Sequence, residues 1–403
     1  MAFSQPLSGI AAQSQNLDVI GNNIANSQTV GFKGGNALFS DVFAGANSKV
    51  GLGTRISDVR QDFGAGDIES TGRGLDLAIA GEGFFRLEES NGETVYSRNG
   101  QFSQDSEGFL VNATGQKLTG FGLSDSEDPF SEVQESGSKP LEVSREDIPA
   151  SATEEASAIY NLDASAVPGE NLQEAVVKTD SADSNAEGTI EYHFSNSFTV
   201  FDSLGNDHVV TQYFKKINQA DNDWRVNVAL DGLQDRTTGS VSNSYNIIFD
   251  ENGQIRKDNN GEIAGVSQGG NNRSFANLEF APEAYGFQGA ENPLKIEFDL
   301  KGTTQFNSSS TQNSLSQDGY TSGSLAGIEV LNDGTVQRNF TNGESRAAGQ
   351  ITLASFVNQE GLQPQGDNNF SATNASGQPA IGTAGTGLLG SIESGAVENS
   401  NVD

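Results

Sequence analysis

The first 27 residues place apolar side chains at helical spacing. Six of them share one side of the predicted helix: Phe3, Leu7, Ile10, Leu17, Ile20 and Ile24. Four of the six recur every seven residues, which predicts an amphipathic helix with an apolar seam of heptad type. A helix of about three heptads is only marginally stable alone. The seam therefore needs a partner, either in its own domain or on a second helix of this chain or another copy.

The helical pattern ends in a segment rich in asparagine and glycine. Its asparagines are Asn22, Asn23 and Asn26, and its glycines are Gly31, Gly34 and Gly35. Glycine interrupts helices, and the apolar residues that follow are isolated: Phe32, Phe39 and Phe43. Residues 28–70 are therefore predicted to form an extended arm that packs on something outside itself.

From about residue 51 onward the pattern changes from helical to alternating. Short runs of alternating apolar and polar residues, bounded by turn residues, indicate β-hairpins. The strongest turn signals are four dipeptides: Asn91-Gly92, Asn99-Gly100, Asn252-Gly253 and Asp333-Gly334. The predicted fold class is therefore mainly β, in which an N-terminal α-helix and extended arm precede two nested β-rich domains of sandwich or barrel-like type.

The second β domain is predicted to be inserted into the first. Its strands alternate cleanly, as in residues 223–230, where Trp224, Val226 and Val228 share one side. After residue 304 the hairpin pattern of the first β block resumes. The predicted organisation is a helix at 1–27, an arm at 28–70, a discontinuous β domain at 71–165 and 305–375, an inserted outer β domain at 166–304, and a C-terminal Gly/Ser/Asn-rich arm at 376–403.

The net charge limits the classes of partner. Lys+Arg 22 against Asp+Glu 54 gives a formal net charge of −32, so neither nucleic acid nor an anionic membrane is a predicted partner, because both are bound by basic patches. Ten acidic residues lie between Phe121 and Tyr160. We interpret them as a solvated excursion that leads to a domain boundary, since they lack the regular spacing of a calcium loop.

No pattern indicates catalysis. The chain has no cysteine, so thiol chemistry is excluded. It has two histidines, His193 and His208, and a metal site built on them would need carboxylate ligands that the sequence pattern does not identify. Residues 385–390 match the glycine fingerprint of dinucleotide-binding folds, but neither a strand nor a helix flanks them as that fold requires. We predict no catalytic residue, no cofactor and no metal, and therefore no enzyme.

Targeting segments are also missing from the pattern. No apolar run approaches the ~20 residues of a membrane span. The N-terminal residues lack the basic and apolar regions of a cleaved signal peptide. If the protein leaves the cell, it uses another route.

Several motifs resemble the bacterial flagellar rod and hook proteins. The first, DVIGNNIAN followed by GFK, contributes the signature residues Asn22, Asn23, Asn26, Gly31, Phe32 and Lys33. The second, TGRGLDLAIAGEGFF, contributes Gly72, Gly74, Leu75, Asp76, Gly83, Phe84 and Phe85. The third is YSRNGQF at residues 96–102, and GAVENSNVD at residues 395–403 resembles the C-terminal part of the same family. The resemblance covers about the first 120 and the last 90 residues.

This resemblance implies a structural subunit of a polymer. The inserted domain, together with the hairpin motif DSLGN at residues 202–206, implies a hook-type subunit that forms a flexible curved tube and acts as a universal joint between motor and filament. The family's terminal helices line the inner core of that tube, so the seam would serve helix pairing and assembly. The implied location is extracellular, reached without a cleaved signal peptide.

The implied partners are other axial components. They are further copies of the chain, the distal rod protein, the hook cap protein, the hook–filament junction protein, the hook-length control protein and the flagellar type III export apparatus. The family normally continues past the position of Asp403 with a C-terminal amphipathic helix, which is absent from this sequence. We interpret the sequence as a fragment, with a truncated sequence or a degenerate gene product as alternatives.

Two other functions compete with this interpretation. A distal rod protein of the basal body belongs to the same family but has a single β domain, so the predicted inserted domain disfavours it. A secreted β-sandwich adhesin would display an exposed aromatic platform for glycans. Trp224 stands in an alternating strand, where a core role is favoured.

Overall fold

The computed structural model describes most of the chain. The described residues are 4–42, 53–124, 131, 133, 137–180, 186–219, 222–234, 243–257, 265–268, 271–273, 275–281, 285 and 293–402. They contain one long helix and many short strands, in agreement with the predicted mainly β fold class.

The elements follow one another in this order. The described chain begins with α1 (Ser4–Ala25), β1 (Gly35–Val42), β2 (Gly53–Gln61), β3 (Ile68–Ser70), β4 (Leu77–Ala80), β5 (Phe84–Glu88), β6 (Thr94–Ser97), β7 (Ser103–Gln104), β8 (Leu110–Val111), β9 (Lys117–Phe121) and β10 (Lys139–Pro140). It continues with β11 (Glu155–Asp163), β12 (Gln173–Lys178), β13 (Glu187–Tyr192), β14 (Phe194–Phe201), β15 (Asp207–Asn218), β16 (Asp223–Leu230), β17 (Ser244–Ile248), β18 (Val266–Gln268), β19 (Asn271–Arg273), β20 (Phe275–Phe280), β21 (Leu294–Asp299), β22 (Thr304–Phe306) and β23 (Thr311–Gln317). It ends with β24 (Leu325–Val330), β25 (Thr335–Phe340), β26 (Ser345–Ser355), a short 3-10 helix (Gln359–Gly361), β27 (Gln363–Gly366), β28 (Asn369–Ser371), β29 (Ala380–Thr383), β30 (Ser391–Ser394) and β31 (Ala396–Glu398).

The chain forms two compact units, one inserted into the other. Unit 1 comprises Met1–Glu146 and Leu325–Asp403, and unit 2 comprises Asp147–Ser324. Unit 2 is longer at both ends than the predicted domain at 166–304, because β11 pairs with β21, β22 and β23. The inward side chains of β11 belong to the core of unit 2: Ala156, Ala158, Tyr160 and Leu162.

Unit 1 is built on a large antiparallel sheet. Its strand order is β24-β25-β26-β9-β5-β6-β28-β27, so strands from both ends of the chain lie side by side. Because side chains alternate along a strand, the adjacent residues Phe84 and Phe85 enter different clusters. Phe85 packs with aliphatic residues and Phe102, whereas Phe84 packs in an aromatic cluster with Tyr96 and Phe370.

The segment predicted as an extended arm contains a two-stranded antiparallel hairpin. Strands β1 and β2 pair from Gly35 opposite Gln61 to Val42 opposite Gly53. The sequence did not reveal this pairing because the connection between the strands contains no Asn-Gly or Asp-Gly signal. Helix α1 packs along the hairpin.

The segment predicted as a C-terminal arm is instead incorporated into the body of unit 1. Strand β29 pairs with β26, β30 pairs with β4, and β31 pairs with β3. Each of these three strands has three or four residues, which is too short to produce a readable alternation. The strands with which they pair are also distant in sequence, so no hairpin-turn signal predicts these three strands.

Unit 2 is a β-sandwich with an apolar core. One sheet has the order β14-β15-β16-β17-β18-β19, and the other contains β20, β21, β11, β22 and β23. Side chains from both sheets share one cluster, including Phe214 and Trp224 from the first and Tyr160 and Phe298 from the second. Trp224 is fully buried and its Nε1 donates to Gln305 Oε1 at 2.7 Å, which confirms its predicted core role.

Candidate assembly site

Helix α1 leaves its apolar seam exposed. Leu7, Ile10, Leu17 and Ile24 are 67 %, 68 %, 65 % and 66 % exposed, and Ile20 is 43 % exposed. Phe3 lies outside the described residues. Leaving such side chains in water forgoes about 25 cal/mol for each Å² that a partner would cover. Rows of this kind mark interaction surfaces.

The other side of α1 is attached to the hairpin through Asn23. The Asn23 Nδ2 donates to Gly35 O at 2.8 Å, and the Gly35 N donates to Asn23 Oδ1 at 2.9 Å. The amide of Asn23 thus occupies the position that a neighbouring strand would take beside Gly35. Asn23, a predicted signature residue, joins the helix to the first residue of β1.

Asn22 and Asn26 account for the abrupt end of the helix. The Asn26 Nδ2 donates to Asn22 O at 3.0 Å, and its Oδ1 accepts from Thr29 Oγ1 at 3.2 Å. Terminal helical carbonyls need such partners. Gly31 then adopts a φ of +71°, which turns the chain towards the hairpin.

Lys33 lies in a buried ion cluster that joins distant parts of unit 1. Its Nζ is 2.7 Å from Glu398 Oε1 and donates to Gly64 O at 2.7 Å. The Arg98 Nη1 lies 3.3 Å from the other carboxylate oxygen, Glu398 Oε2. The Gly66 N also donates to Glu398 Oε1 at 2.9 Å. One carboxylate therefore connects the segment after the helix, the third sequence motif and the C-terminal motif.

Burial dominates the electrostatics of this cluster. The side chains of Lys33 and Glu398 are 0 % exposed and that of Arg98 is 3 % exposed. Burial lowers the pKa of Lys33, and the nearby Glu398 opposes that shift. The pKa of Arg98 is also lowered by burial. Because two cations share one carboxylate, loss of Glu398 would leave both without their counter-charge, which is the costly way to break a buried pair.

The GFK motif is held from two sides. On one side, a Cβ on Gly31 would lie 2.5 Å from Asn99 N, so the third motif leaves room only for glycine. On the other, the Gly31 N donates to Glu398 O at 2.7 Å, and Asn401 N donates to Phe32 O at 3.4 Å. The three predicted signature residues Gly31, Phe32 and Lys33 therefore form the contact between the N-terminal and C-terminal motifs.

The first half of the second motif supports the C-terminal strands. The Asp76 backbone carbonyl accepts from Gly395 N at 2.8 Å, and the Asp76 Oδ2 accepts from Thr71 Oγ1 at 2.7 Å. Gly72 has a φ of +73°. A Cβ on Gly74 would lie 3.2 Å from Ile328 O. These predicted residues shape the turn that leads into β4.

The second half of this motif builds the cores of unit 1. Leu75 packs against the aliphatic cluster. Gly83 has a φ of +129°, and a Cβ there would lie 3.3 Å from Leu389 Cδ2. Phe84 and Phe85 serve the two clusters described above, and the Arg98 guanidinium lies over the Phe84 ring at 5.3 Å, a favourable cation–π contact.

Sequence reasoning did not identify Glu398 and Arg98 as partners of Lys33. Both stand in motifs that the resemblance singled out, but no local spacing links them. One signal was available, because Glu398 is the sole charged residue in 394–402. A lone charge in a neutral segment that alternates into a core is typical of a buried ion pair.

Among the described residues, no group of three or more His, Asp and Glu side chains is arranged to hold a metal ion. None of the described helices is long and apolar enough to cross a membrane.

Comparison with known proteins shows which family the chain resembles. Residues 7–33 match the flagella basal body rod protein family, residues 78–154 the flagellar hook protein FlgE/F/G D1 domain, and residues 161–320 the flagellar basal body protein FlaE D2 domain. Flagellar hook protein FlgE of Salmonella typhimurium is 39 % identical over 403 residues, covering 100 % of this chain and 91 % of that protein. The chain belongs to the flagellar hook protein family. The resemblance predicted from the sequence motifs is thereby confirmed.

Other hook proteins extend the comparison. Hook protein FlgE of Escherichia coli K12 is 40 % identical over 407 residues, covering 100 % of this chain and 91 % of that protein. The Treponema pallidum hook protein is 30 % identical over 432 residues, covering 98 % and 90 %. The crystal structure of Helicobacter pylori flagellar hook protein FlgE2 matches with a TM-score of 0.56 at 13 % identity, covering 81 % of this chain and 99 % of that one. That last match concerns the fold alone.

Proposed function

We propose that this chain is a structural subunit of the bacterial flagellar hook and polymerises with other copies of itself into a curved tube. The tube acts as a universal joint that transmits torque from motor and rod to filament. Family membership supports the hook role. The exposed apolar row on α1 is the observation that supports polymerisation, because a row of this length is stable only when another surface covers it.

The assembly seam consists of Phe3, Leu7, Ile10, Leu17, Ile20 and Ile24. It pairs with an apolar seam on a second helix, from the same or a neighbouring copy. Heptad spacing supports this choice, because it keeps one stripe facing a partner helix over successive turns. Each Leu or Ile contributes about 1.5–3 kcal/mol when fully buried.

The signature residues transmit load within the subunit. Asn23 ties α1 to β1, and the Lys33–Glu398–Arg98 cluster ties the segment before β1 to the β strands of unit 1. Force applied to the helices in the tube core thus reaches the β body through more than a single covalent strand. The motifs Gly72–Asp76 and Gly83–Phe85 keep that body rigid.

The hook role also sets location and partners. The subunit is extracellular and reaches the growing end unfolded, through the flagellar type III export apparatus. The absence of cysteine supports this route, because no disulfide can form before assembly. The distal rod, hook cap, hook–filament junction and hook-length control proteins are its axial partners. The subunit is not an enzyme, and its role is mechanical.

Substitution in the seam tests this function. We would introduce Leu17→Asp at the chromosomal locus, and Gln15→Asp as the matched control. The two positions are both exposed and lie about 200° apart around the helix axis. We expect Leu17→Asp to abolish hooks in electron micrographs of isolated basal bodies, and Gln15→Asp to retain them. Normal hooks with Leu17→Asp would contradict the assembly seam.

A further inference from the structure

The second sheet of unit 2 carries a surface without charge. Residues 302–317 contain no charged side chain, although the chain as a whole has a net charge of −32. This run forms β22 and β23. The strand between them in the sheet, β11, has no charged residue between Glu155 and Asp163. Three neighbouring strands are therefore neutral over most of their length.

Several outward side chains of these strands lie on the same face of the sheet. Since the even-numbered residues of β11 enter the core, its odd-numbered residues point away from it. Ser157 pairs with Ser316 and Ile159 with Ser314, across β11 and β23. Phe306 on β22 adds a ring that is 51 % exposed. We call these five residues the neutral strip: Ser157, Ile159, Phe306, Ser314 and Ser316.

Strand β23 also lies at the edge of its sheet. Among the described residues it pairs with β11 alone, and five of its seven residues are exposed. Natural sheets protect such edges from other chains with lysine, proline or inward charges. Strand β23, with the sequence TQNSLSQ, has none of these. Its outer edge is therefore open to a neighbour.

Charge indicates which neighbour fits. A cation would be held by acidic side chains and a polyanion by basic ones, and the neutral strip has neither. Two copies that each carry −32 repel one another over most of their surfaces. They approach at least electrostatic cost where their surfaces are neutral. Three carboxylates border the patch, namely Asp299 beside Ser157, Asp163 beside Phe306 and Asp318 after Gln317, so the contact stays sensitive to salt.

We propose that the neutral strip is a contact surface for a neighbouring copy of this chain in the polymer. This inference rests on the proposed hook function and names one surface at which subunits meet. Its serine side chains are small and make a shallow surface. A neighbour can shift along such a surface without breaking deeply interlocked contacts, as bending of a tube requires.

Added charge tests the neutral strip. We would compare Ser314→Asp and Ser316→Asp with Thr189→Asp, which places the same charge on an exposed position of β13 between Glu187 and Glu191. Hooks isolated from each strain would be diluted in low and high salt. The subunit concentration left in the supernatant after sedimentation measures the critical concentration. Thermal unfolding of each dissociated subunit checks that the fold is intact.

We expect both serine variants to raise the critical concentration about three-fold or more in low salt, because each added carboxylate would face a copy whose net charge has the same sign. High salt should remove most of that rise. Thr189→Asp should behave like the unmodified protein. Equal behaviour of the serine and threonine variants, whether normal or weakened, would overturn the neutral strip and leave the hook function standing. Absence of hooks from the unmodified strain would overturn the hook function and the contact with it.

Discussion

The two units differ in the interactions that stabilise them. The centre of unit 2 is apolar and aromatic, with Phe214 and Trp224 fully buried among neighbouring strands. Unit 1 has apolar clusters as well, but its chain ends are joined by Lys33, Arg98 and Glu398. Apolar burial tolerates the loss of one contact better than a buried ion cluster tolerates the loss of its only carboxylate. Unit 1 should therefore be the more vulnerable to single polar substitutions.

The largest effect is expected for Glu398→Ala. This change leaves Lys33 and Arg98 buried without their carboxylate, and should lower the free energy of unfolding of unit 1 by about 3–5 kcal/mol. Urea unfolding followed by circular dichroism measures the loss. Fluorescence of Trp224, the single tryptophan of the chain, shows whether unit 2 is affected.

An exposed ion pair of unit 1 provides the control for this change. Arg60 and Glu360 are 3.7 Å apart and their side chains are 50 % and 55 % exposed. Glu360→Ala should cost less than about 1 kcal/mol. If the two alanine variants lose similar amounts, the cluster is no more important than a surface pair, and the contrast between the units fails.

A smaller effect is expected for Gly31→Ala. Gly31 has a φ of +71°, and a Cβ would lie 2.5 Å from Asn99 N. The left-handed backbone costs about 1–2 kcal/mol with alanine, and the overlap adds a further ~1–2 kcal/mol. Gly92→Ala is the matched control, because its φ is +83° and its Cβ would meet nothing within 4 Å. Circular dichroism in urea should show a loss of about 3 kcal/mol for the first change and about 1 kcal/mol for the second. Equal losses would mean that backbone strain alone acts at Gly31.

The same contrast explains what the sequence could predict. A hairpin turn can be predicted from the two residues that form it. Gly92, Gly253 and Gly334 all adopt the positive φ that their Asn-Gly or Asp-Gly pairs predict. Asn99-Gly100 was wrong as a turn signal of this kind. Gly100 does not adopt a positive φ, and glycine is needed there because a Cβ would lie 1.7 Å from Leu77 O. A close contact between segments that are distant in sequence produces no periodic pattern in the sequence.

The candidate assembly site could likewise be predicted from the sequence only where its residues lie close together along the chain. The seam on α1 was readable because helical spacing places its residues together. The resemblance supplied Lys33 as a signature residue, but its partner Glu398 lies 365 residues away. Local sequence patterns cannot identify a partner at such a separation. The boundaries of unit 2 were misplaced for a related reason, since β11 and β23 find their partners across the insertion.

The smallest effect concerns a polar group within the apolar core of unit 2. The Tyr160 OH lies 3.1 Å from Gln212 Oε1 and 3.2 Å from Asn196 Oδ1 and shares its single proton between these two acceptors, so Tyr160→Phe should cost about 1 kcal/mol at pH 7. Burial raises the pKa of Tyr160. Unfolded tyrosine ionises near pH 10, whereas the folded unit keeps the proton above that pH. Rising pH therefore stabilises the unfolded state and lowers the free energy of unfolding by about 1.4 kcal/mol per pH unit for this group.

The Tyr160→Phe variant lacks this titration, while all other titrating groups are common to both proteins. Its unfolding free energy, measured by Trp224 fluorescence in urea, should fall less steeply than that of the unmodified chain between about pH 10 and pH 11. The ~1 kcal/mol deficit at neutral pH should therefore shrink or reverse in alkali. Parallel pH curves would mean that Tyr160 ionises as readily in the folded unit as in the unfolded chain. The core of unit 2 would then be open to water, and its contrast with the sealed ion cluster of unit 1 would disappear.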